Sequence, residues 1–374
     1  MNNISEETKL RLWLNNIEGI GLKTIKILLA YFNNCILDIY NQSFESLEKI
    51  VGKNKAEKIS GNHNIYAVEN KIKQYKERNV NIIFPGHPDY PEKLLNIYDY
   101  PEILYVRGNI NDNVARHNKN IAIVGARNPD IYGKEMAAYF AKELSNNGIN
   151  IISGLARGID GCSHIGALEN NGYTIAVLGC GINVTYPREH VELFSEIEKQ
   201  GAVISEYGFD VPPNQGQFPM RNRIISGLSD GVFVVEAQKK SGSLITVNYA
   251  LEQGKQIYAL PGRAYDLLSQ GCNELIKSGA ICVTKPEDIL FDLNIAFNKE
   301  INCDSDTYND NDKNLLAPNE KKVYSCLSLE PKYIDDIIKI TKMGIVDTIN
   351  SLYLLEDKKL IKQPIQGYYI KTIM

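Results

Sequence analysis

Residues 121–178 read IAIVGARNPDIYGKEMAAYFAKELSNNGINIISGLARGIDGCSHIGALENNGYTIAVL, and this stretch decides the fold. Its apolar runs at 121–124, 149–152 and 174–178 are short and contain no polar alternation, which is typical of strands covered on both faces. The segment 134–144 between the first two runs has helical spacing of its apolar residues. Because parallel neighbours need a crossover connection, this order predicts a parallel, doubly wound α/β sheet.

The same alternation continues towards the C-terminus. Further apolar runs lie at 202–204, 232–235, 257–260 and 281–283, with helical segments at 189–199, 244–251 and 273–277. A strand signal at 81–84 precedes them. We therefore predict a mostly parallel, Rossmann-like sheet domain at residues 82–298.

Smaller units flank the predicted sheet domain. Residues 1–80 have helical spacing around a Gly19-Ile20-Gly21 hairpin and predict a small all-helical domain of the helix-hairpin-helix or SAM-like kind. Residues 299–314 are acidic, rich in asparagine and poor in large aliphatic residues, as expected of a solvated linker. Residues 315–374 contain three helical segments followed by two short strands, which is the order of a winged-helix domain.

Composition restricts the class of protein. With 44% hydrophobic and 23% charged residues among 374, the chain has an ordinary globular composition. The formal net charge of −4 does not indicate a nucleic-acid binder, so anion binding must come from local arrangement. Seven cysteines without a CxxC pair argue against a metal site and favour reduced thiols. The polar N-terminus and the lack of an apolar run of ~20 residues predict a cytoplasmic protein without membrane contact.

Arginine is concentrated at one predicted edge of the sheet, although only ten of the forty-one cationic residues are arginine. The cations that follow predicted strands are Arg127, Arg157, Arg188, Arg221, Arg223, Lys239, Lys240 and Arg263. In an open parallel sheet the carboxyl ends of the strands lie on one edge, where ligands bind. Since the arginine fork matches phosphate oxygens, we infer an anion site there. The alternative is that arginines fall by chance into polar loops.

Small residues follow the same strands. Gly125, Gly154 and Gly158 stand in turns after strands, and Ser241-Gly242-Ser243 precedes a helix with Thr246 in its first turn. Such residues let a phosphate approach backbone N–H groups at a helix N-terminus. A complete GxGxxG fingerprint and a GxxxxGK[ST] loop are both missing, so NAD and ATP are disfavoured and no cofactor is predicted.

Catalytic interpretations have less support. Asp160, Glu206 and Glu236 lie near the same edge and are chemically suited to acid–base work. Capping of a helix by Asp160 and neutralisation of arginines by the two glutamates explain them better. His164 and His190 have no Ser or Cys partner at a recognisable spacing. We therefore predict no catalytic residues and a protein that is not an enzyme.

Several motifs carry a resemblance to a known family. They are Val124-Gly125-Ala126-Arg127, residues 153–160 (SGLARGID), Tyr186-Pro187-Arg188, residues 218–228 (FPMRNRIISGL) and residues 241–246 (SGSLIT). In order and spacing they resemble the DNA processing protein A (DprA/Smf) family from about residue 84 to 290. The resemblance implies a recombination mediator that binds and protects incoming single-stranded DNA and promotes loading of the RecA recombinase, in natural transformation or related DNA processing. It also implies a homodimer through the later part of the sheet domain, near residues 270–282.

The resemblance also implies how the DNA is held. The family's pocket uses the arginine of the VGxR turn and a basic residue after Tyr-Pro, here Arg127 and Arg188, where lysine is usual at the second position. We predict DNA contacts from Gly125, Arg127, Gly154, Arg157, Gly158, Arg188, Phe218, Arg221, Arg223, Lys239, Lys240, Ser241, Gly242, Ser243 and Thr246. Aromatic residues suited to stacking on bases near this edge are Tyr132, Tyr186, Tyr207, Phe209 and Phe218.

Other interpretations stay open. The Gly19-Ile20-Gly21 hairpin either grips a phosphate through its amides or only connects two helices. The segment 346–352 in the predicted winged helix has no Arg or Lys, which favours a protein contact or a structural role over base readout. The rival function is a nucleoside-monophosphate phosphoribohydrolase. Enzymes of that type carry a PGGxGTxxE stretch, whereas residues 241–248 read SGSLITVN and lack the acid.

Overall fold

The computed structural model describes residues 5–110, 119–296 and 316–372. Its helices are α1 (Glu6–Asn15), α2 (Leu22–Tyr31), α3 (Ile36–Tyr40), α4 (Phe44–Val51), α5 (Lys53–Ser60), α6 (Ile65–Glu77), α7 (Glu92–Leu95), α8 (Ile131–Asn146), α9 (Ile159–Leu168), α10 (Val191–Gln200), α11 (Gln217–Leu228), α12 (Ser243–Glu252), α13 (Gln270–Lys277), α14 (Pro286–Asp292), α15 (Pro318–Cys326), α16 (Ile334–Thr341) and α17 (Ile345–Asp357). Its strands are β1 (Asn81–Ile83), β2 (Leu104–Gly108), β3 (Asn120–Val124), β4 (Asn150–Ser153), β5 (Thr174–Leu178), β6 (Ala202–Ser205), β7 (Gly231–Val234), β8 (Gln256–Ala259), β9 (Ile281–Cys282), β10 (Lys332–Tyr333), β11 (Ile361–Ile365) and β12 (Tyr368–Lys371). The predicted linker at 299–314 lies outside the described residues.

The first six helices pack on the sheet rather than standing apart. Ser5 caps the N-terminus of helix α1, because its hydroxyl accepts a hydrogen bond from the Thr8 amide at 3.2 Å. The buried indole of Trp13 meets the Tyr40 ring edge-on, with centroids 4.9 Å apart. Apolar residues of these helices share one buried cluster with Tyr105 on β2 and other sheet residues. Burial against the sheet therefore fixes the position of the helical region.

The central sheet has the strand order β1-β2-β6-β5-β4-β3-β7-β8-β9. Seven neighbouring strands pair in parallel, in the order β6, β5, β4, β3, β7, β8 and β9. For example, Ala122 on β3 is opposite both Ile152 on β4 and Val232 on β7. Strands β1 and β2 add an antiparallel edge, with Tyr105 opposite Ser205. The predicted mostly parallel, Rossmann-like sheet is confirmed, and its strand β5 has the predicted bounds.

Helices cover both faces of the sheet. Helices α8 and α9 pack on the face that carries Ile121, Ile123 and Phe233. Helices α11 and α12 pack on the opposite face, against Ala122 and Val232. The chain moves outwards from β3 to β6 and then returns to β7 on the other side of β3. In a doubly wound sheet this reversal opens a crevice at the carboxyl ends of the two strands, here β3 and β7.

The segment after β6 differs from the polar loop that the arginine pattern suggests. It continues as α11, whose Ile224, Ile225 and Leu228 enter the core. Arg221 and Arg223 lie on the same helix and are themselves buried. Arginines at inward positions hide the helical spacing of the apolar residues, so periodicity alone does not reveal this helix.

Residues 316–372 have a core of their own. Helices α15, α16 and α17 surround a cluster that includes Val323, Ile337, Leu352 and Leu355. Strands β10, β12 and β11 form a small antiparallel sheet beside them. This arrangement contains the three predicted helices and the two predicted strands, β11 and β12, and adds the short strand β10.

Candidate nucleic-acid interface

A cleft of about 590 Å³ lies where the topology places a ligand crevice. Its walls come from the turn after β3, the segment after β7 and the first half of α11. Eight of the fifteen predicted contact residues line it: Gly125, Arg127, Phe218, Arg221, Ser241, Gly242, Ser243 and Thr246. The sequence motifs from three separate regions therefore meet in one place.

Arg127 is the exposed cation of this cleft. Among residues 5–110, 119–296 and 316–372 no carboxylate lies within ion-pairing distance of its guanidinium, which is 5.5 Å from the centroid of the Phe218 ring. Gly158 packs directly against the turn that carries Arg127. Its φ of 77° favours glycine, and a side chain there would clash with the carbonyl oxygens of Ala126 and Arg127. The amide of Ile159 also donates to the Ala126 carbonyl at 3.2 Å. The cation is thus held on a braced turn without a direct ion pair in the described residues, although its charge opposes the rise that burial causes in the pKa of the nearby Asp160.

Arg221 belongs to the floor of the cleft. It is 4% exposed, and its Nη1 donates to the Gly154 carbonyl at 2.7 Å and to the Val177 carbonyl. A side chain at Gly154 would come within 2.6 Å of the guanidinium, so glycine is required for the close packing. Burial lowers the pKa of Arg221, and the nearby Asp160 charge opposes that shift. The side chain ties the ends of β4 and β5 together.

Asp160 does not cap a helix, contrary to the prediction, because the N-cap of α9 is Gly158 and no side chain caps this end. Its Oδ2 instead accepts hydrogen bonds from the amides of Gly154 at 3.1 Å and Ala156 at 3.4 Å, in the loop between β4 and α9. Burial raises the pKa of the Asp160 carboxyl, while Arg221 and these two amides act in the opposite direction. The carboxylate and Arg221 therefore compensate each other beneath the cleft surface.

The N-terminus of α12 forms another wall. Ser241 and Ser243 exchange a hydroxyl–hydroxyl hydrogen bond of 2.7 Å, and Gly242 has nothing within 4 Å of the place where a side chain would start. Thr246, in the first turn of the helix, is buried and also lines the cleft. Free backbone at the positive end of a helix dipole is suited to an anion.

Tyr186 and Phe218 supply the aromatic surface. Their ring centroids are 5.6 Å apart at an interplanar angle of 33°, and both rings line the cleft. Tyr132, Tyr207 and Phe209 are not among the lining residues. Phe209 packs instead against Tyr75, with centroids 4.1 Å apart.

Other predicted cations lie beside the cleft rather than in it. Arg157 forms two hydrogen bonds of 2.7 Å with Glu189, and Lys239 pairs with Glu274 at 2.6 Å. Arg188 is exposed on a short 3₁₀ turn, two residues after Tyr186. Lys240 is exposed next to Ser241. Arg188 and Lys240 have no carboxylate within 4 Å in the described part of the chain, so they extend the positive edge beyond Arg127.

Arg223 requires a correction. It is 1% exposed and does not line the cleft. Its Nη2 donates to both oxygens of Glu206 at 2.5 and 2.7 Å, and its Nε lies 3.1 Å from the Asp99 carboxylate. Burial raises the pKa of Glu206, and the Arg223 charge opposes the rise. Glu206 therefore neutralises an arginine as expected, but that arginine is buried in the core, with Glu206 19% exposed beside it.

Glu236 has a different role from the predicted neutralisation of arginine. Its Oε2 accepts a hydrogen bond of 3.3 Å from the Asp130 amide at the N-cap of α8. Burial and the adjacent Asp130 side chain raise the pKa of Glu236 to about 8. His164 is likewise structural: it is buried, hydrogen-bonded to Thr174 at 2.7 Å, and burial lowers its pKa to about 3.

Sequence reasoning missed the uncharged polar lining. Asn128, Gln215, Asn222 and Gln238 all face the cleft. Asn128 and Gln238 each stand one or two residues from a predicted contact, and this adjacency was the available signal. Amide side chains both donate and accept hydrogen bonds, so they suit the mixed chemistry of a nucleotide.

Neither a metal site nor a membrane span is found in the part of the chain that the structure describes. Within residues 5–110, 119–296 and 316–372, no group of three or more His, Cys, Asp or Glu side chains is arranged to hold a metal ion. Over the same ranges no helix combines the length and apolarity needed to cross a membrane.

Comparison with known proteins agrees with the motifs. The family model for DNA recombination-mediator protein A matches residues 81–294, more than half of the chain. Protein Smf of Escherichia coli (strain K12) is 46% identical over 228 residues; the match covers 61% of this chain but only 60% of that protein.

Two solved structures are also similar. The X-ray structure of DNA processing protein A from Streptococcus pneumoniae matches with a TM-score of 0.66 and 33% identity over 77% of this chain and 98% of that one. A Helicobacter pylori DNA processing protein A, whose structure describes a single-stranded DNA binding mode, matches with a TM-score of 0.52 and 30% identity over 57% and 95% of the two chains. The chain belongs to the DNA recombination-mediator protein A family, DprA/Smf.

Proposed function

We propose that this protein binds single-stranded DNA along the cleft at the carboxyl ends of β3 and β7 and acts as a recombination mediator. The observation that carries the proposal is the unpaired Arg127, held on a braced turn between a helix N-terminus and an aromatic pair. The similarity to a Helicobacter pylori relative with a described single-stranded DNA binding mode supports it.

The cations of the edge are suited to a phosphate backbone. Arg127, Arg188 and Lys240 are exposed without a carboxylate within 4 Å in the described residues, so binding a phosphate requires no ion pair to be broken. Arg157 and Lys239 are placed to take part only if phosphate displaces their carboxylate partners, and we keep them as secondary contacts. Gly242 leaves open space for phosphate oxygens at the backbone amides of the α12 N-terminus, next to Ser243, whereas Gly125 lines the cleft but is packed against Ile159.

The aromatic pair favours a strand with unpaired bases. Stacking of a base on an aromatic ring is worth ~1–3 kcal/mol, and only an unpaired base can leave the duplex stack to reach it. Tyr186 is partly exposed beside Phe218, so we propose that a base stacks on this surface. The exposed cations Arg188 and Lys240 lie outside the cleft lining. A long phosphate backbone reaches them, whereas a small phosphorylated metabolite bound in the cleft does not.

Arg221, Gly154 and Gly158 enter the proposal as supports rather than contacts. Arg221 holds the strand ends beneath the cleft, and Gly158 braces the turn of Arg127. Thr246 is buried in the first turn of α12 and lines the cleft. Arg223 is left out because it is buried and paired away from the cleft.

The wider role follows from family membership. We propose that the protein acts in the cytoplasm, protects incoming DNA, promotes RecA loading and self-associates through the later part of the sheet domain near residues 270–282. We propose that the three helices and small sheet of residues 316–372 form a winged helix. We also propose that the protein binds DNA without turning over a nucleotide, since the Asp160 carboxylate is bonded to the Gly154 and Ala156 amides and the Glu236 carboxylate to the Asp130 amide.

A titration of the full chain with labelled oligonucleotides tests the function. We expect (dT)-type and mixed-sequence single strands of equal length to bind alike, because phosphate contacts carry no sequence information, and duplex to bind more weakly. Three phosphate contacts predict that log K falls with log salt at a slope of about −2. A flat salt response, or a preference for one duplex sequence, would contradict the proposal. Release of free adenine from AMP would instead support the phosphoribohydrolase function.

A further inference from the structure

Helix α17 presents an apolar face to solvent. Ile345, Val346, Ile349 and Tyr353 are between 48% and 71% exposed. Their spacing places them on one side of the helix. The opposite side, with Leu352 and Leu355, is already buried in the C-terminal core. The exposed face therefore has no packing role within residues 316–372.

The charges around this face disfavour a nucleic acid. The exposed acids Asp347, Glu356 and Asp357 lie on α17, which carries no Lys or Arg. No cation lies within 4 Å of Glu356 or Asp357 in the described residues. Of the two lysines that follow them, Lys358 pairs with Glu320 at 2.8 Å and Lys359 is exposed, so one negative charge is left over at this end. These two acids also lie at the negative end of the helix dipole, where acidic side chains are unfavourable. An occupant of this face should bring positive charge to that end and apolar side chains to the middle.

The helix meets those requirements with a second copy of itself. Ile345 and Tyr353 are each four residues from Ile349, so an antiparallel pair centred on Ile349 places Ile345 of each copy against Tyr353 of the other. The same pairing brings the exposed Lys342, just before α17, to the partner's acidic end. It also sets the positive end of one helix dipole beside the negative end of the other.

We propose that α17 is a self-association surface through which two copies of this chain pair antiparallel about Ile349. This inference does not depend on DNA binding. We take ~100 Å² for a branched aliphatic side chain and ~200 Å² for a tyrosine, of which only the exposed 48–71% is available, so the four apolar residues of both copies bury on the order of 600 Å² in the pair. Stable interfaces bury about 1,200 Å² or more, so the contact is weak and depends on concentration.

Sedimentation velocity of the full chain over a range of concentrations tests the proposal. Ile349→Lys places two ammonium groups at the centre of the pair, and we expect the association constant to fall at least roughly tenfold. Ile165→Lys is the matched control, because Ile165 on α9 is 50% exposed against 48% for Ile349. Association through any other surface is common to all variants and cancels in the comparison.

Charge reversal tests the antiparallel geometry. Glu356→Lys with Asp357→Lys should weaken association, and adding Lys342→Glu should restore part of it. Circular dichroism checks folding, and Tyr353→Ala provides a second, uncharged disruption with the same expected direction. The proposal is overturned if the wild type shows no concentration-dependent step, if Ile165→Lys weakens association as much, or if the reversed acids strengthen binding to duplex DNA instead of weakening self-association.

Discussion

Replacing Arg127 by alanine is the most direct test of the cleft. Its guanidinium has no carboxylate partner among the residues that the structure describes, so its removal leaves no buried charge unpaired. We therefore expect the free energy of unfolding to change by no more than ~0.5 kcal/mol, as for other surface substitutions. A hydrogen bond between a charged donor and a phosphate contributes roughly 1.5–3 kcal/mol, which predicts about a 10- to 150-fold loss of affinity for single-stranded DNA.

The salt dependence gives an independent measure of the same contact. Losing one phosphate contact should reduce the magnitude of the slope of log K against log salt by about 0.7 on a single strand. Arg127→Lys should keep that slope, because the charge remains, but should lose part of the affinity, because lysine lacks the bidentate fork. Fluorescence anisotropy with one labelled oligonucleotide at several salt concentrations measures both quantities.

A matched arginine outside the cleft supplies the control. Arg78 is exposed after α6 and does not line the cleft. Arg78→Ala should leave the affinity within about twofold, since screening at ~0.15 M salt limits distant charges to about 8 Å. If Arg127→Ala binds as well as the wild type and melts normally, or if Arg78→Ala loses as much affinity, Arg127 does not hold the DNA.

The remaining predictions separate support from contact. Arg223→Ala should cost about 3–5 kcal/mol of stability, because it leaves the Glu206 carboxylate buried and unpaired, while the folded fraction still binds DNA; urea unfolding and an active-fraction titration check this. For Glu236 the folded pKa of about 8 exceeds the ordinary 4.5, so the folded state retains a proton that the unfolded state loses. Stability should therefore fall as pH rises from 4.5 to 8, at up to ~1.4 kcal/mol per unit, and Glu236→Gln should flatten that fall in urea unfolding at pH 5, 6.5 and 8. Gly242→Ala meets open space at an ordinary φ of −62°, so the melting temperature should hold while DNA affinity drops if a phosphate approaches that backbone; unchanged affinity would remove Gly242 from the interface.

The sheet was predictable because a strand that is buried on both faces is a short, uninterrupted run of apolar residues in the sequence. Strand β5 is an uninterrupted apolar run, and the predicted and observed bounds are both Thr174–Leu178. Strand β2 (Leu104–Gly108) was not predicted. Its antiparallel pairing with β6 is a contact between residues about a hundred positions apart, and no local pattern reports such a pairing.

The position of the site was also predictable, because it follows from topology. Residues after β3 and β7 meet at the reversal point of any doubly wound sheet, and Arg127 and Gly242 both line the cleft there. The fate of each cation was not predictable. Arg157 and Glu189 are 32 positions apart, and only the folded chain shows that they neutralise each other.

The two arginines of the FPMRNR segment show why family motifs and ligand contacts are different things. A buried guanidinium needs several oxygen acceptors at fixed positions, which few backbones provide. Arg221 finds them in the carbonyls of Gly154 and Val177, and Arg223 finds them in the two Glu206 oxygens at Nη2 and in the Asp99 carboxylate beside Nε. These acceptors come from parts of the chain far from the FPMRNR segment, so the two arginines fit only one arrangement of the sheet. The segment is therefore a specific marker of this fold. An exposed arginine such as Arg127 has no such demands within the protein. In the proposed function its requirement is met by a DNA phosphate, and for that reason we expect DNA affinity, rather than stability, to report on it.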